Sequence, residues 1–198
     1  MPRDTPAVST PSVYNIANML TVLRLVMVPM FAYCLARSDF SAPDWRMAAT
    51  VVFLVASATD FVDGWLARRF GLITAFGKIA DPIADKALVG TALVMMSVWA
   101  VLPWWVTVVI LARELGVTVL RLWVIRIGVI AAGRGGKAKT VLQVAAIAWY
   151  VWPWPPALAT VGPWLMTAAV AATMITGADY LVQILAMRSR ARRTANRL

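Results

Sequence analysis

Histidine is absent from the 198 residues, cysteine occurs once, and only nine residues are acidic. Without imidazole, any general base must be a carboxylate, a lysine, a tyrosine or water. The lone Cys34 sits in an apolar run and cannot form an internal disulfide, so it says little about redox compartment. Charge of either sign is scarce: 14% of residues are charged and 61% are hydrophobic. Soluble domains run near a quarter charged, because water-facing surface must be covered. The missing charge points to a surface that faces lipid.

The net charge of +10 would suit nucleic acid only if it formed a stripe on a soluble fold. Here the basic residues lie between and after apolar segments, which excludes nucleic acid as a partner and suits anionic membrane lipid. The stretch Met1 to Tyr14 is polar and contains proline, and it has no cleavable-signal pattern.

A membrane-spanning helix needs about 20 mostly apolar residues. The first candidate runs from about Asn18 to Ala36, with Arg24 inside it. The second starts near Met47 and continues through Thr59 into Asp60 and Asp63. The 26 uncharged residues Ala87 to Ala112 are divided at Leu102-Pro103, predicting a third helix from Pro82 to Val101 and a fourth from Trp105 to Val124. The fifth and sixth share the uncharged stretch Thr140 to Ala178, split at Pro153-Trp154-Pro155-Pro156, and the sixth ends near Met187. The expected fold is therefore an all-α integral membrane protein with six transmembrane helices. A polar segment (1–14) precedes the helical domain (15–187), and a basic tail (188–198) follows it.

Short loops rich in lysine and arginine stay in the cytoplasm. The first, third and fifth loops hold only Arg37 and Arg46, while the second, the fourth and the tail hold fourteen basic residues. Both termini are thus expected on the cytoplasmic side. Tryptophans 104, 105, 152, 154 and 164 gather at the opposite ends, as an interfacial belt would.

Four of the nine acids, Asp60, Asp63, Asp81 and Asp85, fall within 26 positions at expected cytoplasmic helix ends. Spacings of three and four put each pair on one helix face, so an antiparallel turn around Phe70 to Phe76 would let the pairs face each other. Such a cluster needs compensation, since a charge in hydrocarbon costs at least about 2.5–3.5 kcal/mol. Salt bridges to Arg68, Arg69, Lys78 and Lys86 are one source. Divalent metal is the other, because hard oxygen ligands suit Mg2+, which keeps positions open for phosphate oxygens. Gly64, Ala67 and Gly77 would leave the helix surface open to a nucleotide, although close helix packing uses the same small residues.

The string Asp60-x2-Asp63-Gly64-x2-Ala67-Arg68-x8-Gly77-x3-Asp81-x3-Asp85 resembles the signature of the CDP-alcohol phosphotransferase family at every position. That family has a six-helix membrane fold. The resemblance implies two Mg2+ or Mn2+ ions held by Asp60, Asp63, Asp81 and Asp85, with Asp85 also the candidate base. It places Gly64, Ala67, Arg68 and Gly77 at the cytidine nucleotide, and it implies a homodimer.

Further stretches resemble the bacterial phosphatidylglycerophosphate synthase branch. They are Asn15 to Arg24 (with Ala17 where many members have proline), Ala112-Arg113-Glu114, Leu120-Arg121, Gly136 to Thr140 with Gln143, and Thr176 to Tyr180. That branch implies CDP-diacylglycerol as donor, glycerol 3-phosphate as acceptor, and an active site facing the cytoplasm at the cell membrane. Arg113, Arg121, Lys137 and Lys139 are cationic groups toward cytoplasmic helix ends, and they are the expected site for the acceptor phosphate. Two plainer roles stay open: Lys137 and Lys139 could serve topology alone, and Arg113 could pair with Glu114 or Asp179. Inositol phosphate or phosphatidylglycerol would be rival acceptors. A transporter, the rival from another class, would scatter its charges through the spans, and here the carboxylates share one depth.

Overall fold

The computed structural model describes residues 16–70, 75–124 and 135–195, and the described residues are helical apart from short connections. Six long helices and one short turn follow in order: α1 (Ile16–Ser38), α2 (Pro43–Phe70), α3 (Ala75–Val98), α4 (Trp104–Val124), α5 (Gly135–Val151), α6 (Pro156–Ala159) and α7 (Val161–Ala195). The stretches Asn18–Ser38, Pro43–Asp63 and Pro156–Ile184 are long and apolar enough to cross a membrane. The helix α1 packs along α2 and α3, α7 packs along α4 and α5, and α2 touches α5.

The distribution of burial is that of a protein in lipid. Large apolar side chains point outward, with Trp164 78% and Met19 68% exposed, while Asn18, Thr21 and Arg24 on one face of α1 are buried. In water such an exterior would be an aggregation surface. Beneath it lies an apolar core that includes Phe31, Leu35, Phe53, Leu93, Met96 and Ile147.

Two helix starts differ from those the sequence predicts. The helix α2 begins at Pro43, not near Met47, because proline is well suited to a first helical position. The helix α3 begins at Ala75, so Pro82 lies inside it instead of opening it. A proline removes one backbone donor, a loss that helices at membrane depth tolerate when neighbours re-satisfy the freed carbonyl. The last helix runs to Ala195, so the basic tail expected from residue 188 is largely helical. Residues 71–74, the middle of the expected Phe70–Phe76 turn, lie outside the described residues.

At the end of the bundle remote from the aspartates, Arg46 holds α5 in place. Its guanidinium donates to the carbonyls of Tyr150 and Val151 at 3.0 Å and of Trp152 at 3.1 Å. The first two are the last carbonyls of α5, which have no intrahelical donor. Nearby, Trp99 Nε1 donates to Asp39 Oδ1 at 2.6 Å, tying the α1–α2 turn to the α3–α4 turn. Replacing Arg46 by Ala should lower stability by about 2–3 kcal/mol, the cost of orphaning these carbonyls. Thermal unfolding in detergent reads this. Turnover per folded molecule should be unchanged, because Asp60 lies about 21 Å further along α2.

Candidate active site

The first site residue is one that the motif leaves out. Arg24, halfway along α1, is fully buried and points at α2. Its Nη1 lies 2.7 Å from Asp60 Oδ1, an ion pair without hydrogen-bond alignment, and its Nη2 donates to Asp63 Oδ2. Asp63 is buried with it, whereas the Asp60 side chain is about a third exposed. The guanidinium fork meets two carboxylates one helical turn apart, which a lysine's point charge could not do with the same geometry. Arg24 Nε is also buried and has no hydrogen-bond partner among the described residues. The sequence signal was present, since a cation inside an apolar helix is costly and usually functional.

Asp85 comes from α3 and closes the cluster. With Arg24, Ser57, Asp60 and Thr140 it lines a void of about 10 Å³, close to the space one water-sized atom needs. Asp81 lies one turn earlier on α3. Its side chain, and those of Gly64, Ala67, Arg68, Gly77, Arg121 and Lys137, fall outside the described residues. Asp60 and Asp85, from two helices, line the same void of atomic size, and carboxylate oxygens are donors of the kind Mg2+ or Mn2+ takes. Arg24 already pairs with Asp60 and Asp63, and among the described residues no group of three or more acidic side chains gathers to hold a metal ion.

On its other side Asp85 faces a second cavity, of about 310 Å³, between α3, α4 and α5. Lys86, Glu114, Lys139, Thr140 and Gln143 form its polar wall, and Val94, Leu111 and Leu115 are among its apolar residues. Lys139 is buried and donates to Glu114 Oε1. Arg113 Nη1 donates to the same oxygen at 3.1 Å, and Arg113 Nη2 donates to Thr176 Oγ1 on α7 at 2.8 Å. Of the acceptor-phosphate residues expected from the sequence, Lys139 therefore stands on the cavity wall. Arg113 bridges Glu114 and α7 and is not among the described residues lining the cavity. Glu114, a possible partner of Arg113 by sequence, and Gln143 also line the cavity. Gln143 is fixed by donating to Thr173 Oγ1 at 3.2 Å.

Comparison with known proteins agrees with this architecture. Residues 14–175 match the family model described as CDP-alcohol phosphatidyltransferase, and the chain belongs to that family. It is 51% identical over 171 residues to a protein of Mycobacterium tuberculosis (strain H37Rv) named "Probable phosphatidylglycerophosphate synthase", covering 86% of this chain and 82% of the relative. Two further relatives carry the name CDP-diacylglycerol–glycerol-3-phosphate 3-phosphatidyltransferase. The one from Bacillus subtilis (strain 168) is 38% identical over 144 residues, covering 68% of this chain and 75% of the relative. The one from Escherichia coli (strain K12) is 37% identical over 145 residues, covering 70% and 78%.

Proposed function

We propose that this chain transfers the phosphatidyl group of CDP-diacylglycerol to glycerol 3-phosphate, giving phosphatidylglycerophosphate and CMP, at the cytoplasmic face of the cell membrane. The names of the relatives support the two substrates. The observation that carries the chemistry is that Asp85 stands on the wall of both the acidic void and the larger cavity holding Lys139. A donor diphosphate on one side of Asp85 and an acceptor on the other would meet at its carboxylate. Six membrane spans, with both termini in the cytoplasm, would put this junction at the inner surface.

Asp60, Asp63, Asp81 and Asp85 would hold divalent cations, Mg2+ or Mn2+. Such ions, when bound, neutralise charge on the donor's diphosphate and on the departing CMP. Arg24 keeps Asp60 and Asp63 together and turned toward α1. By family resemblance Gly64, Ala67, Arg68 and Gly77 receive the cytidine nucleotide. The acceptor's primary hydroxyl gives its proton to Asp85, and its oxygen bonds to the phosphorus that carries diacylglycerol. The bond from that phosphorus to the CMP oxygen breaks, and CMP leaves with the electron pair. By family resemblance Arg121 and Lys137 supply cationic partners for the acceptor phosphate, while Lys139, paired with Glu114, stands on the cavity wall. Catalysis is mainly positioning and charge stabilisation, as is usual for transfer at phosphorus.

The test is CMP release by detergent-purified protein given CDP-diacylglycerol. Release should require both a divalent ion and glycerol 3-phosphate, stop on chelation, and yield phosphatidylglycerophosphate. Faster release with inositol phosphate or phosphatidylglycerol as the acceptor would overturn the choice of acceptor. Undiminished release in chelator would overturn the role of metal.

A further inference from the structure

Glu114 is a membrane-helix carboxylate with an asymmetric set of partners. Both cations that reach it, Arg113 and Lys139, bind Oε1. A carboxylate has about four acceptor positions on its two oxygens, and Oε2 has no partner among the described residues. A residue kept only to neutralise an arginine would do so best in the parallel two-bond arrangement that guanidinium and carboxylate favour. Here Arg113 gives Nη1 to Oε1 and Nη2 to Thr176, so the carboxylate is held by one oxygen.

That hold is firm. Arg113 lies across α7 where Gly177 has no side chain: a Cβ there would stand 3.1 Å from Arg113 Nε and 3.2 Å from its Cγ. Lys139 approaches from α5, so α5 and α7 together fix the carboxylate of this α4 residue. The space beside it is the cavity that Asp85 also lines. Its volume, about 310 Å³, is at the small end of the range for small-molecule sites, roughly 300–1,000 Å³.

We propose that Glu114 binds the acceptor: its Oε2, left over while Arg113 and Lys139 hold Oε1, accepts a hydrogen bond from the hydroxyl next to the one that reacts. This rests on the reading of the chain as a glycerol 3-phosphate phosphatidyltransferase, and it names the group that selects the acceptor. The chemistry it fits is a short polyol carrying a phosphate at its far end. A fixed carboxylate attracts hydroxyl protons and repels phosphate, so it turns the molecule with its hydroxyl end inward and its phosphate toward cations. That orientation brings the primary hydroxyl to Asp85. Preorganised polar groups of this kind need no rearrangement when the substrate arrives.

The experiment pairs a deletion on the substrate with a change on the protein. Full-length wild type, Glu114→Gln and Glu114→Asp are assayed with sn-glycerol 3-phosphate and with 3-hydroxypropyl phosphate, which keeps the primary hydroxyl and the phosphate but lacks the middle hydroxyl. Wild type should favour glycerol 3-phosphate in kcat/KM by about 100-fold, the scale of one hydrogen bond to a charged group. In Glu114→Gln the amide oxygen stays with Arg113 and Lys139 and a donor faces the cavity, so the preference should shrink at least about tenfold. The KM for CDP-diacylglycerol should not move. Should Glu114→Gln fail to fold, Glu114→Asp keeps the charge, withdraws the oxygen, and should also lose preference. Equal use of both acceptors by wild type would overturn the proposal, and so would equal slowing of both by the variants, the mark of a purely structural role. In those two cases wild-type activity on glycerol 3-phosphate remains. Inactivity of wild type with either acceptor would overturn the proposed function itself, and this assignment with it.

Discussion

Asp85→Asn should reduce kcat/KM for CMP release by about 1,000-fold, the range of a lost general base. The substitution preserves shape and removes only charge and basicity, so the loss will not come from packing. Asp85 lies between the void it shares with Asp60 and Arg24 and the cavity it shares with Lys139 and Glu114. An amide there can neither take the acceptor's proton nor offer an anionic oxygen to a cation. Asp39→Asn is the matched control, since Asp39 bonds to Trp99 in a turn at the opposite end of the bundle. It should keep activity within about twofold, as surface substitutions away from special features do. Retention of more than a tenth of wild-type kcat/KM by Asp85→Asn would show that the reacting groups meet elsewhere.

Arg24→Ala should be the most destabilising single change in the molecule. It removes a fully buried guanidinium from two carboxylates, one of them buried as well. Breaking such a pair from one side costs about 3–5 kcal/mol, because the remaining charge is stranded. For a chain of this size that corresponds to a fall of about 10 °C in the midpoint of thermal unfolding. Arg24→Lys should recover only part of it, since a single ammonium cannot span both carboxylates as the fork does. If the vacated Asp60 and Asp63 can take a cation, millimolar Mg2+ or Mn2+ should raise the midpoint of Arg24→Ala more than that of wild type, by mass action on the folded state. A midpoint that Mg2+ and Mn2+ leave unmoved in Arg24→Ala would argue that these carboxylates do not bind metal.

The contrast between Asp60 and Arg24 marks what the sequence discloses. Spacing puts Asp60 beside Asp63 and Asp81 beside Asp85, because helix periodicity is local and regular. Which cation meets them is not local: Arg24 lies 39 positions before Asp63 on another helix, whereas spacing points only to the basic residues adjoining the motif. The Glu114 cluster was hidden in the same way, joining α4 to α5 and α7 through partners 25 and 63 positions away. Hydropathy revealed the long helices, since apolar runs of that length have few other fates. It misplaced two helix starts: Pro43 serves as a first helical residue of α2, and Pro82 lies within α3. The basic C-terminal residues read as a solvated end, yet helix continues to Ala195. A chain of arginines has no apolar face to signal a helix, and continuation from the preceding span needs none.

Electron paramagnetic resonance of Mn2+ titrated into the detergent-purified protein asks most directly whether the acidic cluster holds metal. Wild type should show saturable loss of the free-ion signal, tighter with CMP present, and Asp60→Asn should lose most of that binding while remaining folded. A signal that stays free in wild type even with nucleotide, or binding that survives Asp60→Asn unchanged, would contradict the assignment of these carboxylates to a cation.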